Sequence, residues 1–72
     1  MITQTLTAGQ LRGWLSSHGV TDANRRIRAT AEARSYGYVL IYNGLRHVVR
    51  RLVVGGHIYY TIDTRPARAL VG

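Results

Sequence analysis

"LRHVVRRLVV", residues 45–54, fits two regular structures, and the choice between them decides the fold. Wound at 3.6 residues per turn, Leu45, Val48, Val49, Leu52 and Val53 form one apolar stripe, with Arg46, His47, Arg50 and Arg51 opposite. Extended, the same residues divide less cleanly between the two faces of a strand. The flanks favour the strand. "YVLIY" precedes it and is followed by Asn43-Gly44, whose residues tolerate positive φ and make the strongest short hairpin signal. Gly55-Gly56 follows it and leads into "HIYYTID", rich in aromatic and β-branched residues. A helix over 45–54 is the alternative, and Asn43 can cap it. That helix would carry four valines, a composition of poor helix propensity, and would need very tight connections at both ends.

Hairpin turns at both ends fix the register. Tyr42 then faces Leu45, Leu40 faces His47, and Tyr38 faces Val49. On the other side Val53 faces Ile58, Arg51 faces Tyr60, and Val49 faces Ile62. One face of the meander reads Tyr38, Leu40, Tyr42, Leu45, Val49, Val53, Ile58, Tyr60 and Ile62, interrupted only by His47 and Arg51. The other carries Arg46, Arg50, His57, Tyr59, Thr61 and Asp63 among Val39, Ile41, Val48, Leu52 and Val54. A bulge at Arg50-Arg51 turns both arginines outward, but moves His57, Tyr59 and Thr61 to the core side.

Upstream, Met1–Leu6 alternates Ile2, Gln4 and Leu6 with threonines, the pattern of a short edge strand. Thr7 and Gln10 have capping-box spacing. Ala8, Leu11, Trp14, Leu15 and His18 then fall in an arc of about 120° on a helix. Gly19 stops that helix, Val20 is placed to touch Leu15, and His18 supports the helix C-terminus. Thr21 or Asp22 caps a second helix running to about Tyr36, with Gly37 as its stop. Its inward face reads Ala23, Ile27 and Ala31, with Arg34 intruding, while Arg25, Arg28 and Glu32 point away and Arg26 sits on a flank. The expected fold is thus α+β in the order β-α-α-β-β-β: a short N-terminal strand, two helices and a three-stranded antiparallel meander. Residues 1–63 make one small domain. Residues 64–72, with Arg65, Arg68 and the apolar Leu70 and Val71, make an extended or frayed arginine-containing tail.

Composition bounds the function. A chain of 72 residues buries only roughly 60% of its unfolded surface, and with no cysteine it has neither disulfides nor thiolate metal sites. Self-association, including a homodimer, is one way to gain burial. Ten basic residues face three acids, Asp22, Glu32 and Asp63, for a formal charge of +7 and a pI near 11.2. Such a field attracts polyanions. All ten are arginines. A GC-rich genome accounts for that bias, and so does selection for a planar fork that matches phosphate and carboxylate. No signal peptide or membrane span is visible, so the expectation is a soluble cytoplasmic protein without membrane attachment.

The histidines, His18, His47 and His57, are too scattered for a metal site, and neither a phosphate loop nor a nucleophile elbow is present. No cofactor is expected. The preferred reading is a non-enzymatic protein that binds nucleic acid or a nucleoprotein complex. Arg25, Arg26 and Arg28 of the second helix, Arg46, Arg50, Arg51, His57 and Tyr59 of the meander, and Arg65 of the tail are its candidate contacts. Tyr59, beside Arg50, can stack on an unpaired base. The second reading is an inhibitor, of the kind phages and plasmids encode, that covers an acidic surface of a host defence or nucleic-acid-processing complex. A third is enzymatic. Arginine, histidine and tyrosine can cleave RNA without metal, because the 2′-hydroxyl is the nucleophile; Arg46, Arg50, His57 and Tyr59 supply those groups. The element order and basicity resemble those of the small bacterial RelE/ParE toxins, which implies a metal-independent ribonuclease; no motif carries across.

Overall fold

The computed structural model describes residues 2–67, and residues 45–54 are a strand. The elements run β1 (Ile2–Leu6), α1 (Ala8–Ser17), α2 (Ala23–Ser35), β2 (Tyr38–Tyr42), β3 (Leu45–Val54) and β4 (His57–Pro66). They form one antiparallel sheet in the order β1-β4-β3-β2. This is the expected α+β order, and it displaces the helical alternative for residues 45–54. Both turns are the reason. Asn43 and Gly44 adopt φ of 50° and 75°, Gly55 and Gly56 adopt 57° and 80°, and such paired positive values match the twist of a two-residue hairpin.

The register is the one the turns dictate, with Leu40 opposite His47, Arg51 opposite Tyr60 and Val49 opposite Ile62. Pairing runs unbroken from Leu45↔Pro66 to Val54↔His57, so there is no bulge at Arg50-Arg51. β4 continues to Pro66, past Asp63, because Thr64 is buried beside His47 and the Ala67 amide donates to the Gly44 carbonyl at 3.0 Å. The expected packing of Leu70 and Val71 and the position of Arg68 lie outside the described residues.

Each helix begins and ends on local chemistry. The Thr7 hydroxyl accepts the Gln10 amide at 3.2 Å, and the Gln10 side chain accepts the Thr7 amide at 3.0 Å. At the other end of α1, Gly19 sits at φ 85° and the Val20 amide donates to the Leu15 carbonyl at 2.9 Å. Val20 and Leu15 are both fully buried, which is the apolar contact that accompanies such endings. Asp22 caps α2, and the Tyr36 and Gly37 amides both close on the Glu32 carbonyl.

Both helices lie on one face of the sheet, α1 over β4 and β1, α2 over β3 and β2. The core between the layers is Leu11, Leu15, Val20, Ala29, Ala33, Val49, Tyr60 and Ile62, with Leu6, Trp14, Tyr38 and Leu40 packed around it. Here one expectation fails. α2 buries Ala29 and Ala33, whereas Ile27 is 68% exposed and Ala23 and Ala31 also face solvent. The helix is rotated to present its smallest side chains to the sheet, so that its axis can approach closely. Isoleucine at position 27 lies nearly opposite, about 200° from Ala29 at 100° per residue. The expected face was the wrong one.

Candidate nucleic-acid interface

The meander's alternation sends Val39, Ile41, Arg46, Val48, Arg50, Leu52, Val54, His57, Tyr59, Thr61, Asp63 and Arg65 to the face that no described helix covers. In that face lies a recess of about 310 Å³, lined by Tyr36, Gly37, Val39, Arg46, Val48, Arg50, Asp63 and Arg65. Arg46 stands directly opposite Arg65 on the neighbouring strand, and Val48 opposite Asp63. Like charges directly opposed across strands repel one another. Asp63 is turned toward β1, where its carboxylate accepts the Thr3 hydroxyl at 2.9 Å.

Gly37, at φ 106°, lets the chain leave α2 and drop onto the sheet edge beside Arg50. A Cβ there would lie 3.6 Å from Arg50 Cγ, so the arginine stem rests against the glycine with ordinary contact. Tyr36, just before it, is 78% exposed at the rim of the recess. Tyr36 was not among the expected contacts. Its place between a helix end and a strand start was visible in the sequence, but its position next to Arg50 depends on register. Tyr59 stands opposite Leu52, diagonal to Arg50, and is half-buried; His57 is exposed opposite Val54.

The remaining candidates are elsewhere. Arg25, Arg26 and Arg28 belong to the helical layer on the far side of the sheet. Arg26 is occupied there, its guanidinium donating to the Val20 and Thr21 carbonyls and so tying down the α1–α2 connection. Arg25 and Glu32 both act on Tyr38. Burial raises the Tyr38 phenol above its ordinary value, Arg25 opposes that rise, and Glu32 adds to it. Arg51 alternates to the helix side of β3, beyond the end of β2, and is exposed. The nine candidates therefore divide, and only Arg46, Arg50, His57, Tyr59 and Arg65 share the bare face.

A second polar cluster lies under the helices. His47, which interrupts the apolar side of β3, is 3% exposed, and its Nδ1 is 2.8 Å from the Thr64 hydroxyl. Its ring meets Trp14 and His18 edge-on, with centroids 5.0 and 5.2 Å apart. His18 stacks on Trp14 at 4.0 Å and leans toward Tyr42. Its Nδ1 lies 2.7 Å from the Trp14 carbonyl, which can only accept, so that nitrogen carries a proton. His18 thus supports the end of α1, as expected. Nε2 of His47 has no hydrogen-bond partner among the described residues. Burial, and secondarily the nearby His18, hold the His47 pKa below its usual value. A neutral, enclosed imidazole among aromatic rings is a packing element. Among the described residues, no group of histidine and acidic side chains gathers as a metal site, and no helix is long and apolar enough to cross a membrane.

Comparisons with protein-family models, with curated proteins and with solved structures yield no match to this chain.

Proposed function

We propose that this is a non-enzymatic binding protein that engages nucleic acid, or a nucleic-acid–protein complex, through the arginines of the bare sheet face. The observation that carries the reading is the recess where Arg46, Arg50 and Arg65 surround Val39 and Val48, with Tyr36 on its rim. Guanidinium forks suit phosphate oxygens, and an apolar floor beside an exposed tyrosine suits bases that are not paired. A sheet face presents such groups as a shallow platform, which favours a single strand over a duplex groove.

A binding series with single-stranded DNA, duplex DNA and RNA at two salt concentrations tests it. Affinity is expected to fall steeply with salt, and the log–log slope to drop by about one for each phosphate-contacting arginine removed. No binding in any arm overturns the reading. RNA breakdown that disappears in His57→Ala or Arg50→Ala replaces it with the ribonuclease reading.

One observation favours an inhibitor of another protein as the second reading. Between the helices, Ala8, Ala23, Ile27 and Ala31 floor a groove of about 500 Å³ that Arg12, Arg26 and Arg34 border. An exposed isoleucine ringed by arginines suits an apolar anchor on a partner with an acidic rim. Capture of an acidic protein, lost on Ile27→Ala and indifferent to Arg46→Ala, would select this alternative.

A further inference from the structure

We infer, resting on the nucleic-acid reading of the bare face, that its recess seats an unpaired guanine of a single strand and that Asp63 selects that base. Register assembles the seat. Asp63 on β4, Val48 on β3 and Val39 on β2 stand in one row across the sheet. Two strand spacings separate the ends of that row, about 10 Å. Valine is short beside arginine and tyrosine, so the face dips along this row into the recess of about 310 Å³.

The rows on either side carry the cations. One holds Arg46, opposite Arg65; the other holds Arg50, opposite Thr61. Arg46 and Arg50 are about 13 Å apart along the strand, with the valine row midway between them. A base laid on Val48 and Val39 therefore has a guanidinium on each side, where the phosphates 5′ and 3′ of it run. Tyr36, at the rim of the recess, adds an exposed ring on which a base can stack.

Asp63 is the anomaly in this lining. An acid in a phosphate-binding face lowers its affinity for phosphate, and a counter-ion for the arginines would be paired with them. Arg46 and Arg50 stand diagonal to Asp63, and neither bonds it. Its Oδ1 instead accepts the Thr3 hydroxyl at 2.9 Å, from the neighbouring strand β1. That bond holds the carboxylate in place at the end of the valine row. An ionised carboxylate accepts and never donates, and its two oxygens offer about four lone-pair sites, so Thr3 leaves it with capacity for further donors.

Base edges differ in what they bring to it. Adenine and cytosine present one amino group beside a ring nitrogen that accepts, and uracil or thymine presents one N–H between two carbonyls. Guanine has two neighbouring donors, N1–H and the N2 amino group, which match the two oxygens of a carboxylate. Both lie on the Watson–Crick edge, so the base they belong to must be unpaired. Arginines thus hold the phosphates of any sequence, and Asp63 reads one base.

Equilibrium binding of the full chain to short uridine strands tests this, each strand carrying one central guanine, inosine, adenine or cytosine. The guanine strand is expected to bind about tenfold tighter than the adenine or cytosine strand. Inosine, which lacks the N2 amino group, should fall in between. Asp63→Asn, which can still accept from Thr3, is expected to erase the preference, while affinity for an all-uridine strand holds or rises because a negative charge is lost. Arg46→Ala should do the reverse, weakening every strand and keeping the preference. Guanosine 5′-monophosphate, with a phosphate on one side only, should compete more weakly than the guanine strand. Equal affinity for the four strands, a guanine preference that survives Asp63→Asn, or equal competition by the mononucleotide overturns the inference, while strand binding itself still supports the nucleic-acid reading. No binding to any strand overturns both.

Discussion

The two faces of this sheet are built from the same strands and meet opposite ends. On one, Val49, Tyr60 and Ile62 are sealed beneath two helices; on the other, Val39 and Ile41 stand about half exposed among arginines. Apolar content does not distinguish them. Connectivity does: the chain leaves β1 at one edge of the sheet and enters β2 at the other, and the segment between them, α1 and α2, crosses over a single face. One face becomes a core, and no described helix covers the other.

The sharpest way to break that comparison is to truncate equivalent side chains on each side. Ile62→Ala should cost about 2–5 kcal/mol of unfolding free energy in denaturant titrations, because the helices cannot fully collapse onto the void. Ile41→Ala, on the bare face, should stay within about 0.5 kcal/mol. Equal losses would mean that the bare face is covered in solution. Gly19→Ala comes next. It forces a Cβ to φ 85° and to 3.0 Å from Tyr42 Cε1, and should lower stability by about 1 kcal/mol or more in the same titration.

Arginine removal sharpens the contrast without touching stability. Arg46→Ala and Arg50→Ala should each lower the salt slope of nucleic-acid binding by about one while melting temperatures hold; Arg28→Ala, on the helical side, should leave the slope unchanged. A change of slope from Arg28→Ala alone would move the interface to the helices. The mildest probe is pH. His47 is held neutral in the folded state, with its pKa below the 6.5 of the unfolded chain. Between those values the unfolded chain binds more protons, so stability is full above about pH 6.5 and declines as pH falls toward the folded value. Urea titrations from pH 7.5 to 5 should show that decline, and His47→Leu should flatten it.

What was legible in the sequence follows the range of the forces involved. Asn43-Gly44 and Gly55-Gly56 are local backbone devices, and they set the register of the meander before any side chain packs. Thr7, Gln10, Gly19 and Gly37 likewise bound the helices through their nearest neighbours. The face of α2 was not legible, because alanine at 23, 29, 31 and 33 lets several faces lie close to a sheet, and only the sheet selects among them. The site was legible in half. Alternation placed Arg46, Arg50, His57 and Tyr59 together, since that follows from register alone. Tyr36 at the recess depends on how Gly37 docks a helix end against Arg50. The ring cluster joins Trp14, His18, Tyr42 and His47 from three elements, and no spacing along the chain announces it.

The topology also orders events in time. Ile2 pairs with Thr64, so the first strand of the chain finds its partner only in the last. The β2–β4 meander is joined by tight turns and can assemble from contiguous residues, whereas closing β1 onto β4 spans nearly the whole described chain and carries the entropy of that loop. On a ribosome, β1 emerges before the other described elements and waits. Until residues 60–64 are free of the exit tunnel, its backbone has no native neighbour, and α1 has no sheet to seal against. The four-stranded sheet is therefore complete only once β4 is available to β1.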